Sequence, residues 1–278
     1  MKVPFLDLKA QNRSIWFELL SALEDVMSEA QFILGPAVER FEARFAEYVG
    51  VRHCVGLNNG TSALHMALIA CDVGPGDEVI TTPHTWISTS WAISYVGARP
   101  VFVDIDPATY TLDPDLVERA ITPRTRVIAI THLTSTTGIR YPVKPIAELA
   151  RRRDIFLHVD GAQTFGACAV NLRDLGCDSY SASAHKWPMG PLEAGVLFVR
   201  SERVGQIWPS IVSAGWSDGL KGARKFEAVG QQDDPRVAAL EAAVDLLELI
   251  GLREVEARVQ ALAGRAKRAL AELANVEL

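Results

Sequence analysis

Apolar and polar positions change period twice along the chain. From Ser14 to Ala30, and again from Ala37 to Val49, apolar residues recur at helical spacing. Ile15, Leu19, Ala22, Leu23 and Val26 make one stripe. Gly35-Pro36 separates the two predicted helices, since glycine ends one and proline fits the first turn of the next. Short apolar runs then predict strands at His53–Leu57, Glu78–Thr81, Pro100–Val103, Arg126–Ile130, Ile155–Val159, Ser179–Ser181 and Gly195–Val199. Helical segments Thr61–Cys71, Ile87–Val96, Pro114–Ala120 and Val143–Arg153 fall between most of them. Strand–helix alternation with β-branched, buried strands predicts a mostly parallel α/β sheet.

From Asp234 the strand signals stop. Val237 to Ile250 and Leu252 to Leu273 read as helices broken at Gly251. Val255, Val259, Leu262, Ala266, Leu270 and Leu273 lie on roughly one face of the second, a stripe read as packing. The final Asn-Val-Glu-Leu reads as the start of a strand.

Composition narrows the function. The 278 residues carry a formal charge of −6 and are 49% hydrophobic. That is too apolar for a disordered chain. The acidic balance argues against nucleic acid as a ligand, because phosphate contacts need a basic face. No run is long enough to span a bilayer and no signal core precedes Ser14, so no membrane partner is expected. Cys54, Cys71, Cys168 and Cys177 form no CxxC pair, which predicts reduced thiols in a cytoplasmic protein. His84, His132 and His158 show no metal-ligand spacing, so no metal site is expected.

Three segments carry chemistry. Asn58-Asn59-Gly60-Thr61-Ser62 follows a strand and opens a helix, where free N–H groups can cradle an anion. A plain N-cap through Thr61 or Ser62 is the alternative. Ile155 to Gln163 delivers Asp160 to a strand's C-terminal end, where ligands bind in open α/β sheets. There the carboxylate could serve a metal, a ribose or a ring nitrogen, or simply close an Asp-Gly turn. Ser181 to Pro191 places Lys186 in an apolar, Gly/Pro-rich setting, where lost solvation favours a neutral, nucleophilic amine. An ordinary surface lysine is the alternative. Taken together, an anion cradle, a strand-end carboxylate and an activated lysine are the parts a pyridoxal phosphate enzyme needs.

The whole chain resembles fold-type-I pyridoxal 5'-phosphate enzymes. Its N-terminal half, with ILGPAVERFEARFAEYVGVRHCVGLNNGTSAL and GPGDEVITTPHTWISTS, resembles the DegT/DnrJ sugar aminotransferases. In the C-terminal half THLTSTTGIRYPV, HVDGAQTFGA and SASAHKWPMGP are similar to class V aminotransferases, nearest their isopenicillin N epimerase-like branch. The resemblance implies a seven-stranded, mostly parallel sheet between helices. It implies residues 1–50 as an N-terminal helical segment, 51–235 as a cofactor domain, and 236–278 as helices leading into a small domain that is truncated or absent. It makes Lys186 the Schiff-base lysine, His185 its usual neighbour, and Asp160 the partner of the pyridine nitrogen. Gly60, Thr61, Ser62 and Ser183 would hold phosphate, Trp86 would stack on the ring, and Ser135 and Gln163 would lie near cofactor oxygens. Gln231 would reach the neighbouring subunit's phosphate. Trp187 would pack beside the site. Arg140 and Arg224 are the candidates for a substrate carboxylate clamp.

The expected enzyme acts at Cα of an amino acid or related amine, by transamination or epimerisation, as a homodimer with shared sites. A β-eliminating or desulfurase-like lyase, a sugar aminotransferase and a non-catalytic cofactor-binding module rank below it. The sugar aminotransferase is set lower because the residues around Lys186 are class V in type.

Overall fold

The computed structural model describes residues 7–31, 35–192, 194–207, 225–226 and 234–273. Its helices in chain order begin with α1 (Leu8–Ser14), α2 (Trp16–Glu29) and α3 (Pro36–Tyr48). Then β1 (Val55–Leu57), α4 (Gly60–Ala70), β2 (Glu78–Thr81), α5 (Ser88–Tyr95) and β3 (Arg99–Phe102) alternate. The alternation continues through α6 (Pro114–Ala120), β4 (Thr125–Thr131), α7 (Val143–Arg152) and β5 (Phe156–Asp160). Next come α8 (Leu172–Leu175), β6 (Ser179–Ser183), β7 (Gly195–Val199) and α9 (Ser201–Val204). α10 (Asp234–Ile250) and α11 (Leu252–Ala271) follow.

The seven strands form one sheet in the order β1-β7-β6-β5-β4-β2-β3. Every pair from β6 to β3 is parallel, and only β7 runs against its neighbours β6 and β1. All seven predicted strands form, and their ends shift by a few residues. Two shifts matter: β5 reaches Asp160 and β6 reaches Ser183. Three short helices, α1, α8 and α9, were not predicted, since seven or four residues carry too little period to read. The first predicted helix divides at Ile15, whose φ of −122° and ψ of 16° interrupt the turn. Pro36 takes the first turn of α3 as predicted, but Gly35 does not end the helix before it: α2 stops at Glu29 with Ala30 as its left-handed C-cap, and Gly35 is the N-cap of α3.

Alternation along the strands assigns the two faces. Ile128, Ile130, Leu157, Val159, Tyr180 and Ala182 face one core, filled by Phe41 and Phe45 of α3, Ile146 of α7 and Leu240 and Val244 of α10. Val127, Ala129 and Phe156 face the other, filled by Ala63, Leu64 and Leu68 of α4 and Ile93 of α5. Each fully buried Leu or Ile stabilises the fold by about 1.5–3 kcal/mol relative to exposure. α10 is also tied to α3 by ion pairs of Arg40 with Glu241 and of Arg44 with Asp245 and Glu248.

α11 differs from the expectation. No residue in it is fully buried; Val255 and Val259 of its apolar stripe are half-buried and Leu262, Ala266 and Leu270 are exposed, so among the described residues the stripe packs only at its start. Its Glu256 instead grips the main body, bonding Arg140 and accepting from Ala169 N–H at 2.9 Å. No helix among the described residues is long and apolar enough to cross a membrane.

The polar end of β2 is fastened by one carboxylate. Glu78 is buried, and Arg99, Arg124 and the Thr122 hydroxyl all donate to it. These bonds, Arg99's first, pull its pKa down to about 2. Glu78→Gln is expected to lower the urea midpoint at neutral pH. The native group titrates below its free value of 4.5, so this stabilisation is complete above that pH and fades as the pH falls toward 2. The midpoints of wild type and variant should therefore converge through a series from pH 7 to 3; a constant gap would contradict the ion-pair account.

Candidate active site

The parallel register of β5 and β6 pairs His158 with Ser179 and Asp160 with Ser181. With Tyr180 and Ala182 committed to the α3 side, Ser179, Ser181 and Ser183 turn toward α4. Beneath the site, the buried His158 bonds the Ser179 hydroxyl at 2.7 Å through Nδ1 and the Ser181 hydroxyl at 3.0 Å through Nε2. Burial pushes this imidazole down to about 3, so it stays neutral and ties two strands. At the strand end Asp160 opens onto a cavity. Burial raises its carboxyl above the ordinary range, while the Ala162 N–H at 2.9 Å and the Lys186 charge oppose that.

The corner after Asp160 depends on Gly161. A Cβ there would lie 1.8 Å from Cζ of Tyr180, so only glycine fits. The strand ladder continues through the corner: Gly161 N–H donates to Ser181 O at 2.7 Å, and His132 N–H donates to Asp160 O at 2.8 Å. Below it lies a buried polar cluster. Thr164 Oγ1 stands 3.0 Å from Tyr180 OH and 3.1 Å from His132 Nδ1, and both hydroxyls reach Gly161 O at 3.3 Å. Burial, with the Arg140 charge, pushes His132 down to about 4. His132 and His158, which showed no metal-ligand spacing in the sequence, thus have hydrogen-bonding work within the sheet.

Lys186 sits on the turn that follows β6. The turn is closed by Gly190 N–H donating to Ala184 O at 3.0 Å and Met189 N–H donating to Lys186 O at 3.2 Å. Partial burial, then the Lys186 charge, lowers the neighbouring His185 imidazole below its usual range. Trp187 Nε1–H donates to Gln163 Oε1 at 3.0 Å, joining this turn to the Asp160 corner.

The N-terminus of α4 completes the site. Gly60 N–H donates to Ser183 Oγ at 2.9 Å, and a Cβ on Gly60 would come within 2.9 Å of the same oxygen. Thr61 Oγ1 donates to Ser88 Oγ at 2.9 Å. The cap is Asn59, whose side chain accepts from Ser62 N–H at 2.8 Å, rather than Thr61 or Ser62.

Nine of the predicted residues line one cavity of about 720 Å³: Gly60, Thr61, Trp86, Ser135, Asp160, Gln163, Ser183, His185 and Lys186. Ser62 does not; it faces its cap. Gln231 and Arg224 lie outside the described residues. Arg140 is committed to Glu256, which removes it as a carboxylate clamp in this arrangement. Sequence reasoning missed Asn59, Ser88, Thr131, Thr134, Thr136 and His84 as cavity residues. Asn59 was legible as the polar residue before the helix; Thr131, Thr134 and Thr136 lie in the THLTSTTGIRYPV segment, from which only Ser135 was singled out. His84 Nε2 is buried with no partner among the described residues.

The donor set fits pyridoxal 5'-phosphate. Glycine at position 60 leaves the backbone and the Ser183 hydroxyl open to a phosphate, and the N-terminus of α4 favours an anion. A carboxylate, an amine and the exposed Trp86 ring stand around the same space. The cavity is of the size that small cofactors fill.

The fold is that of type I pyridoxal phosphate enzymes, and the cavity at its sheet edge has the donors that cofactor needs. The chain belongs to the DegT/DnrJ/EryC1/StrS aminotransferase family, whose model matches residues 14–278. That match runs through the C-terminal half, where the class V resemblance was read. The UDP-2-acetamido-2-deoxy-3-oxo-D-glucuronate aminotransferase of Pseudomonas aeruginosa is 35% identical over 253 residues, covering 89% of this chain and 67% of that relative. The solved S. venezuelae DesV, in complex with a ketimine intermediate, is 32% identical with a TM-score of 0.73, over 89% of this chain and 67% of that one. The apo cysteine desulfurase of Thermococcus onnurineus NA1, 23% identical with a TM-score of 0.77 over 91% of this chain and 70% of that one, shares the fold alone. The chain spans 44 to 67% of the length of the first curated relatives it matches.

Gly161→Ala is expected to cost about 3 kcal/mol, the upper range for overpacking, because Tyr180 cannot retreat from the core. Denaturant unfolding checks it; wild-type stability would show that the corner has room.

Proposed function

We propose that this chain provides the cofactor-binding part of a pyridoxal phosphate-dependent aminotransferase that aminates a keto sugar carried on a nucleotide. The observation that carries it is the convergence of Lys186, Asp160 and the Gly60–Ser183 cradle on one cavity, in a chain of this family. The substrate class rests on the P. aeruginosa relative, named for a UDP-linked 3-oxo sugar. This reverses the ranking read from the sequence, which set an amino-acid Cα enzyme above a sugar aminotransferase.

When bound, the cofactor supplies a ring that accepts electrons from the carbon being deprotonated. Lys186 would hold it through its amine, and the same amine would take and return the proton at the reacting carbon. Asp160 keeps the ring nitrogen protonated; the ring cation meets the burial that now raises its carboxyl. Gly60, Thr61 and Ser183 bind the phosphate, and Trp86 covers the ring face. Ser135 and Gln163 would lie near cofactor oxygens, Gln163 near the phenolic oxygen or the phosphate. Residues 51–235 act as the cofactor domain, with α3 and α10 packed against one face of its sheet. A homodimer completes the site, a reading supported by the exposed Trp86 on the cavity lining and by Trp91 and Tyr95 exposed on α5. A cytoplasmic setting goes with four cysteines that form no disulfide among the described residues.

One observation favours a second reading, epimerisation at an amino acid Cα as in the class V resemblance. His185 and Lys186, two proton-carrying groups, line the same cavity. Products separate the readings: an amino sugar with a keto acid supports transamination, and an inverted amino acid supports epimerisation. Ammonia release would indicate the lyase alternative.

With pyridoxal phosphate added, wild type should develop a visible absorbance band that Lys186→Ala lacks; an identical band in both would sink the lysine assignment. Asp160→Asn should still bind cofactor but turn over about 10²- to 10³-fold more slowly, the usual cost of removing one electrostatic partner from a site. Unchanged kcat would remove Asp160 from the chemistry.

A further inference from the structure

Trp187 makes the one hydrogen bond described between the Lys186 turn and the Gln163 side chain. An indole N–H can only donate. It must therefore take the carbonyl end of the Gln163 amide, and it does so at 3.0 Å. Gln163 lines the cavity, and Trp187 stands outside its lining. With Oε1 held from behind, the two N–H donors of the amide are left for the cavity side.

The backbone gives a second, independent reason for this arrangement. Gly166 has a φ of +82°, and a Cβ on it would lie 2.7 Å from Pro188 N and 2.9 Å from the carbonyl carbon of Trp187. The loop after Asp160 and the loop after Lys186 thus touch backbone to backbone, with no room for a side chain between them. The next residue back, Phe165, is buried edge-on against Phe45, ring centroids 4.8 Å apart. Trp187 is held against Gln163 by the docking of two loops that each carry a site residue.

We propose that Trp187 is a positioning residue, which fixes the Gln163 amide so that it offers a hydrogen-bond donor to an oxygen of the bound cofactor. The proposal deepens the pyridoxal phosphate reading and rests on it. The phenolic and phosphate oxygens of that cofactor are anionic or easily become so. A donor attracts them, and a flipped amide would set its carbonyl against them. Fixing the amide in advance spares its ordering at the moment of binding.

The test uses the chain reconstituted with pyridoxal 5'-phosphate, read by cofactor affinity and by absorbance against pH. Trp187→Phe keeps a ring and removes the N–H. It is expected to weaken binding about 3- to 10-fold, the range for one hydrogen bond. It should also raise the pH midpoint of the bound cofactor's absorbance, because a lost donor disfavours the ionised oxygen. In a Gln163→Ala background the same substitution should add nothing, since Trp187 acts through Gln163. Gln163→Glu keeps an acceptor for the indole and turns the cavity-facing donor into an anion. It should therefore bind more weakly than Gln163→Ala, whether or not Trp187→Phe folds well.

Additive losses in the double variant, an unmoved midpoint in Trp187→Phe, or tighter binding by Gln163→Glu than by Gln163→Ala would each overturn the proposal. A wild-type chain whose spectrum matches Lys186→Ala overturns the parent reading and this one together. The wild-type arm therefore tells that failure apart from failure of Trp187 alone.

Discussion

The parallel register between β5 and β6 is the constraint on which the site depends. It sets Asp160 beside Ser181, so that Ser183 and the Lys186 turn follow at the same edge of the sheet. His158, bonded to both Ser179 and Ser181, holds that register from within. A slip of β6 by one residue would turn its three serines to the α3 side and place Tyr180 under α4, while Asp160 stayed where it is. The apolar core and the polar site are thus specified by the same pairing. Gly161 then lets the chain leave the sheet sharply enough for Asp160 to stay at the edge, with Tyr180 filling the space a side chain would need.

Much of this was legible in the sequence. The strand runs are short, apolar and bounded by turn residues, so their number and places could be read. Asp160 and Lys186 fall just after two of them, which put both at strand ends. The reversal of β7 could not be read, because an apolar run such as Gly195–Val199 carries no sign of direction. The contact between Gly161 and Tyr180 joins residues 19 apart, and no local pattern encodes it. Ser62 looked like an anion ligand because it shares a motif with Thr61, but Asn59 was the better cap and took its N–H. The largely exposed stripe of α11 shows the reverse limit: its period is helical, and period alone does not say what covers it.

The two halves of the sequence pointed to different aminotransferase groups, and the family match over residues 14–278 joins them in one. The physical content is the same for both groups. A glycine at the start of α4, a carboxylate at the end of β5 and a lysine after β6 surround one cavity, and none of the three needs its neighbours to match a particular family. What varies is the surround. Trp187, Gln163 and His185 are the residues near the lysine that carry the class V resemblance, and they are also the ones that shape its immediate setting.

The central claim is that Lys186 is the residue that holds the cofactor. Borohydride reduction of the protein reconstituted with pyridoxal 5'-phosphate, followed by peptide mass mapping, tests it most directly. The account predicts a single pyridoxyl adduct on the peptide that contains Lys186. An adduct confined to another lysine, or none under conditions where the visible band forms, would contradict it.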